Sequence, residues 1–219
     1  MALAFFDLDE TLLAGDSDYL WGQYLVEKGA VDGEFYETTN REFYQHYKAG
    51  TLDIHEFARF AFKPLSEHPL DTLHQWRKEF VEQKIEPIIL QKGIDTIEKH
   101  RENNDVLVII TSTNRFITEP IADLYNVDQL LATDPEMVDG KYTGELELPC
   151  FSHYKVDRLS EWLKKTGHNL EGSYGYSDSH NDIPLLETVT HPFAVDPDDG
   201  LKSHAQIKRW PVISFRTKS

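Results

Sequence analysis

The 219 residues predict an α/β chain: a Rossmann-like parallel sheet clad with helices, carrying an α-helical insertion after its first strand. Three observations predict it. Short apolar segments at Leu3 to Phe6, Val106 to Ile110, Gly172 to Tyr176, Val189 to Val195 and Val212 to Phe215 read as buried strands. Helical patterns lie between them, roughly at 87–103, 115–125, 153–167 and 181–187, and such alternation argues for a parallel sheet covered on both faces. The stretch from about 16 to 85 has no strand pattern and is rich in aromatics at helical spacing, punctuated by Gly29, Gly50 and Pro64.

The first strand runs into Asp7-Leu8-Asp9-Glu10-Thr11. Carboxylates two residues apart beyond a buried strand converge at the sheet's C-terminal edge, where open α/β sheets bind ligands. One can attack phosphorus while the other passes a proton, and together they attract a divalent cation. Asp-x-Asp recurs at Asp16/Asp18 and at Asp196/Asp198. The last pair also follows an apolar run, but Gly200 replaces a hydroxyl four residues on, and Pro197 suits a turn.

The second strand is read as ending in Thr111, with Ser112, Thr113 and Asn114 beyond it. Asp139-Gly140 followed by Lys141 to Leu148 reads as a hairpin attached to the core. Lys155 opens a helical segment, and Gly175-Tyr176-Ser177 leads into Asp178-Ser179-His180-Asn181-Asp182. An acidic dyad, a hydroxyl, a lysine and a second acidic pair supply the groups needed for metal-assisted phosphoryl transfer.

Composition narrows the alternatives. The net charge of −16, from 22 basic and 38 acidic residues, disfavours nucleic acid and anionic lipid as partners. It also demands local positive charge wherever a phosphate is held. No apolar run approaches the roughly 18 residues of a membrane span. The first residues enter a strand directly, so no secretory leader is expected, and the lone Cys150 suits a reducing cytoplasm. Cys150 reads as a strand-end filler. The histidines show no His-x-His or His-x-x-x-His pair, which argues against zinc; His180 is either a pocket residue or an exposed loop imidazole. Oligomeric state is not legible.

On the segments Asp7 to Thr11, Thr111, Lys155 and Gly175 to Asp182, in that order, the chain resembles the haloacid dehalogenase-like hydrolase superfamily, in its phosphoserine-phosphatase-like branch with a helical cap. The resemblance covers essentially the whole chain and implies a core of residues 1–15 and 86–219 with a cap over 16–85. It implies that Asp7 is a nucleophile forming an aspartyl-phosphate and Asp9 the general acid and base. It implies Mg²⁺ held by Asp7, the Asp9 backbone carbonyl and Asp178, with Thr111 and Lys155 holding phosphoryl oxygens. Asp182 would orient Lys155 or a metal-bound water, and Asn181 would reach the phosphate.

The implied activity is hydrolysis of a small-molecule phosphate monoester. Asp16 stands where the phosphoserine-specific relatives carry an acid that meets the substrate ammonium; Asp18 is close by, and an acidic helix cap is the alternative reading of Asp16. Asn114 is counted with them on the substrate side. The run Thr111 to Arg115 departs from the glycine-rich turn of the phosphoserine enzymes, and the chain looks more like the histidinol-phosphatase-like members. Tyr19 and Trp21 are expected to pack on an imidazole ring. Phosphoserine, phosphotransfer and a non-catalytic phospho-ligand module are the alternatives.

Overall fold

The structure is a computed structural model describing residues 2–216. Among these residues the strands are β1 (Leu3–Phe6), β2 (Val106–Asn114), β3 (Gln129–Val138), β4 (Lys141–Leu148), β5 (Tyr174–Ser177), β6 (His191–Val195) and β7 (Val212–Ile213). They form one sheet in the order β4-β3-β2-β1-β5-β6-β7, parallel except for the antiparallel β3–β4 pair.

Side-chain alternation in β1 supplies both halves of the core. Leu3 and Phe5 join Val108, Ile110, Leu159 and Leu185 on one face. Ala4 and Phe6 join Leu107, Ile109, Ile117 and Ile121 on the other. A strand buried on both faces has no polar alternation, which is why it is written as an unbroken apolar run.

Between β1 and β2 lie α1 (Ser17–Glu27), α2 (Gly33–Lys48), α3 (Ile54–Glu67), α4 (Leu70–Phe80) and α5 (Gln91–Glu102). Asp16, Asp32 and Asp53 start the first three by accepting backbone N–H groups of the opening turn. A π-helical turn at Val81–Ile85 and a 3-10 turn at Glu86–Ile88 precede α5, so the helix expected from residue 87 begins at Gln91. The remaining helices are α6 (Arg115–Tyr125), α7 (His153–Thr166), α8 (Ile183–Leu186) and α9 (Asp199–Lys208). Among the described residues, no helix is long and apolar enough to cross a membrane.

The structure differs from the sequence reading in three further places. β2 continues past Ile110 to Asn114 through a register irregularity. β3 is a ten-residue strand, parallel to β2 and then antiparallel to β4, so the hairpin's first arm belongs to the main sheet. α9 lies outside the expected helices, because its buried residues are Leu201 and Ala205 and its apolar stripe is thin.

Strands β2 and β3 extend the sheet to one side of β1, while β5, β6 and β7 return on the other. This reversal opens a crevice at the C-terminal ends of β1 and β5. Asp7 follows β1 and Asp178 follows β5, so both residues stand at its mouth.

Candidate active site

Pairing of β1 with β5 fixes the first residues: the Asp7 N–H donates to the Tyr176 carbonyl at 2.9 Å. Lys155, in the first turn of α7, is 2% exposed. Its Nζ lies 2.7 Å from Asp7 Oδ1 and 2.7 Å from Asp182 Oδ2. Asp182 Oδ2 also accepts the Ser177 hydroxyl at 2.7 Å. Asp182 thus touches Lys155, one of the two partners expected for it. The Thr11 hydroxyl lies 3.2 Å from Asp178 Oδ1 and 3.5 Å from Asp7 Oδ2, and it accepts the Asp178 N–H at 3.0 Å. Residues distant in sequence, Asp7, Thr11, Lys155, Asp178 and Asp182, thus form one bonded cluster.

Asp9 is held from two sides. Its Oδ1 accepts the Ser17 N–H at 2.6 Å, and its Oδ2 accepts the Thr113 hydroxyl at 2.7 Å. The first donor is an amide with no partner inside the helix, at the start of α1, where the helix dipole favours an anion. The second comes from the polar extension of β2.

The electrostatics reflect many acids crowded around few cations. Burial pushes Asp7 up to about 7, against the pull of Lys155 and with the push of Asp182 and Asp9. Burial and the neighbouring Asp16 push Asp9 up to about 6, restrained by Ser17 and Thr113. Burial, then Asp16 and Asp9, push Asp18 up to about 8, while the Asn114 hydrogen bond opposes. Asp178 is raised well above the usual carboxylate range by burial, then by Asp7 and Asp182. For Lys155, burial alone would lower the ammonium, but Asp182 and Asp7 reverse this and hold it above its usual range.

These groups line a cavity of about 820 Å³ between the sheet edge and the first helices. Acids surround it: Asp7, Asp9, Glu10, Asp16, Asp18, Asp178 and Asp182, with Asp196, Asp198 and Asp199 at the β6 side. Lys155 and Arg216 are its cations among the described residues. Arg216 pairs with Glu10 and, at 3.6 Å, with Asp196. Thr111 lines the cavity, and its Oγ accepts the Thr113 N–H at 3.2 Å. Aromatic rings of Phe43, Tyr44, Tyr47 and Phe57 from α2 and α3 form the opposing wall.

The substrate-side residues divide. Asp16 caps α1 through the Tyr19 N–H at 2.9 Å, and it also faces the cavity. Asp18 accepts from Asn114 Nδ2 at 3.3 Å, while Asn114 Oδ1 caps α6 at the Ile117 N–H, so Asn114 reaches the cavity through Asp18. Asn181 is buried, its Nδ2 on Ser179 Oγ, and is not part of the cavity wall. Tyr19 lines the cavity, but the expectation for Trp21 is corrected: it lies in the core against Tyr24, Phe80 and Phe116. Residues two apart on a helix do not share a face.

The Asp196/Asp198 pair reaches the cavity in supporting roles. Asp198 caps α9 at the Leu201 N–H and accepts both the His180 N–H and His180 Nδ1. His180 is a cavity residue, packed so closely that a Cβ on Gly200 would lie 2.8 Å from its own Cβ. Cys150 is the expected filler: buried, its thiol pushed up to about 12 by burial.

A family model for haloacid dehalogenase-like hydrolases matches residues 4–187. The chain belongs to this family. A histidinol-phosphatase of Neisseria meningitidis serogroup C is 39% identical over 219 residues, covering 98% of this chain and 99% of the relative. A Bordetella pertussis Tohama I protein of unknown function superposes with a TM-score of 0.92 at 40% identity, covering 98% of this chain and 99% of that one. A phosphoserine phosphatase, solved as a phospho-aspartyl intermediate analogue, shares the fold at a TM-score of 0.71 and 18% identity, covering 99% of this chain and 94% of its own. This member of the haloacid dehalogenase-like family is a phosphatase.

Proposed function

We propose that this phosphatase hydrolyses a small, amine-bearing phosphate monoester, histidinol phosphate, through an aspartyl-phosphate on Asp7. The observation that carries the reading is the cluster of Asp7, Lys155, Asp182 and Asp178 at one end of a cavity walled by Asp16, Asp18 and aromatic rings. Such a cavity suits a ligand with an anionic head, a cationic branch and a flat ring.

An Asp7 oxygen attacks phosphorus, the bond from phosphorus to the ester oxygen breaks, and the departing alkoxide takes a proton from Asp9. Asp9 then removes a proton from water; the resulting hydroxide attacks phosphorus, and the Asp7–phosphorus bond breaks to release phosphate. Lys155 and Thr111 hold the phosphoryl oxygens. The helical segment 16–85 acts as a cap that keeps bulk water away during the first step.

Among the described residues no group of three or more His, Cys, Asp or Glu side chains is arranged to hold a metal ion. The set proposed needs two side chains, Asp7 and Asp178, with the Asp9 carbonyl. Their chemistry fits: the donors are oxygens, and Asp178 faces Asp7 and Asp182 with its carboxyl held well above the normal range. Mg²⁺ suits oxygen ligands, and when bound it supplies the positive charge that draws phosphoryl oxygens towards Asp7. EDTA is expected to abolish hydrolysis and Mg²⁺ to restore it. Titrating Mg²⁺ into EDTA-treated protein should also raise Tm, as any ligand specific for the folded state does; an unchanged Tm and undiminished activity in EDTA would rule the metal out.

Ranking histidinol phosphate, phosphoserine and p-nitrophenyl phosphate by kcat/KM tests the substrate. Histidinol phosphate should lead, and a ranking headed by phosphoserine overturns that assignment. Asp18→Asn should raise KM for histidinol phosphate roughly tenfold or more, the value of a hydrogen bond to a charged group. p-Nitrophenyl phosphate, which carries no ammonium group, should be unaffected. The same variant has a substrate-free signature. A carboxyl at about 8 in the folded protein and about 3.9 unfolded favours folding when protonated, and that contribution is lost as pH rises through 8. Asn does not titrate, so the Tm of Asp18→Asn relative to wild type should climb between pH 5 and 9. A flat difference would place Asp18 in ordinary solvent.

A further inference from the structure

We propose that Thr113 is a positioning residue for Asp9, fixing its carboxyl group in the orientation from which it exchanges protons. The inference rests on the reading of Asp9 as general acid and base. Thr113 lies on the polar extension of β2, within the stretch from Ile110 to Asn114 where the pairing with β3 shifts register. Its N–H is engaged by Thr111 Oγ, and its hydroxyl donates to Asp9 Oδ2 at 2.7 Å. A hydroxyl on a residue 7% exposed is costly without a partner, and Asp9 is the partner it reaches.

Asp9 bridges the start of α1 and the end of β2. Oδ1 is bound to the Ser17 amide at the start of α1, and Oδ2 to Thr113 on the sheet. The first donor belongs to the helical segment over the cavity. The second is anchored to the same strand as Thr111, which holds the substrate end. Thr113 therefore keeps the Asp9 carboxyl in register with the phosphoryl site. Each oxygen retains a lone pair for the travelling proton, so the grip fixes the group without blocking it.

The test uses the leaving group. An alkyl ester needs a proton delivered as its bond breaks, whereas p-nitrophenolate leaves without one. Single-turnover release of the leaving alcohol is followed for phosphoserine or histidinol phosphate, whichever wild type cleaves faster, and for p-nitrophenyl phosphate. Thr113→Val should slow release from the alkyl ester roughly 10- to 100-fold, the worth of one hydrogen bond to a charged group. Release of p-nitrophenol should slow no more than about threefold. Thr113→Ser, which keeps the hydroxyl, should restore the alkyl rate. In an Asp9→Asn background, Thr113→Val should add less than about twofold, as expected for residues acting as one unit.

Equal slowing of both esters, failure of Ser to rescue, or a full additional loss in the Asp9→Asn background would each overturn the proposal. If Thr113→Val does not fold, Thr113→Ala is carried through the same comparison. An Asp9→Asn enzyme that cleaves alkyl esters normally would remove Asp9 from its role and take the inference with it. An ester-dependent loss in Asp9→Asn but not in Thr113→Val leaves the mechanism standing and sinks the inference alone.

Discussion

Asp7→Asn should yield a folded protein with no measurable phosphatase activity, a loss of about 10⁴-fold or more, the scale seen when a covalent nucleophile is removed. Chemistry and stability point in opposite directions at this residue. Asn offers no anionic oxygen to attack phosphorus, so the first bond cannot form. Yet burial holds Asp7 up to about 7, which means its ionised form is disfavoured in the empty site. Removing that charge leaves Lys155 paired with Asp182 at 2.7 Å, so Tm near neutral pH should not fall. Acid-quenching the wild type during turnover should trap a phosphoryl group on the peptide containing Asp7. Recovery of the label on another residue, or hydrolysis by Asp7→Asn above the level of contaminating enzymes, would show that the covalent route is wrong.

The expectation for Asp7 comes from sequence, and the reason it is legible there is physical. Strands buried on both faces are written as unbroken apolar runs, so Leu3 to Phe6 and Val106 to Ile110 announce themselves. Residues just beyond a parallel strand must emerge at the sheet's C-terminal edge, and Asp7 and Asp178 do, while Thr111 reaches the cavity from within β2. Lys155 is marked by its position in the motif order. Its insertion between two carboxylates depends on how α7 packs, which no local pattern encodes.

Other features are invisible in the sequence for equally definite reasons. β3 carries Asp134-Pro135 in mid-strand, and its pairing with β4 shifts register on both sides of Pro135. Those residues break the pattern by which a strand is recognised. The apolar signal of β2 stops at Ile110 because polar residues continue the strand, yet those residues deliver Thr113 to Asp9 and Asn114 to Asp18. Arg216 is remote in sequence, and only tertiary packing brings it to Glu10 and the cavity. The aromatics of residues 16–85 read as core by default. Trp21 and Tyr24 obey that rule, while Phe43, Tyr44 and Tyr47 from the same stretch turn to the cavity. Helical spacing marks a common face but does not say whether that face meets protein or ligand.

Lys155→Met should cost both activity and stability, because Lys155 is the cation that lets Asp7 and Asp182 share a buried site. Its side chain is 2% exposed and lies 2.7 Å from each carboxylate. Methionine matches its length and fills its volume, so the packing loss is small. The charge loss is not: removing one partner of a buried ion cluster leaves the others uncompensated, at a cost of about 3–5 kcal/mol. For a protein of this size that lowers Tm by roughly 10 °C. Part of the loss is avoidable by proton uptake at Asp7, whose carboxyl burial already pushes up to about 7, so the deficit should be smaller at pH 5 than at pH 8. Adding Asp182→Asn should recover a large share of the lost stability, since the second change removes the charge that the first exposed, yet it should not recover catalysis. A Lys155→Met Tm close to that of wild type at pH 8, or a double variant no more stable than the single one, would mean that Lys155 does not compensate these acids.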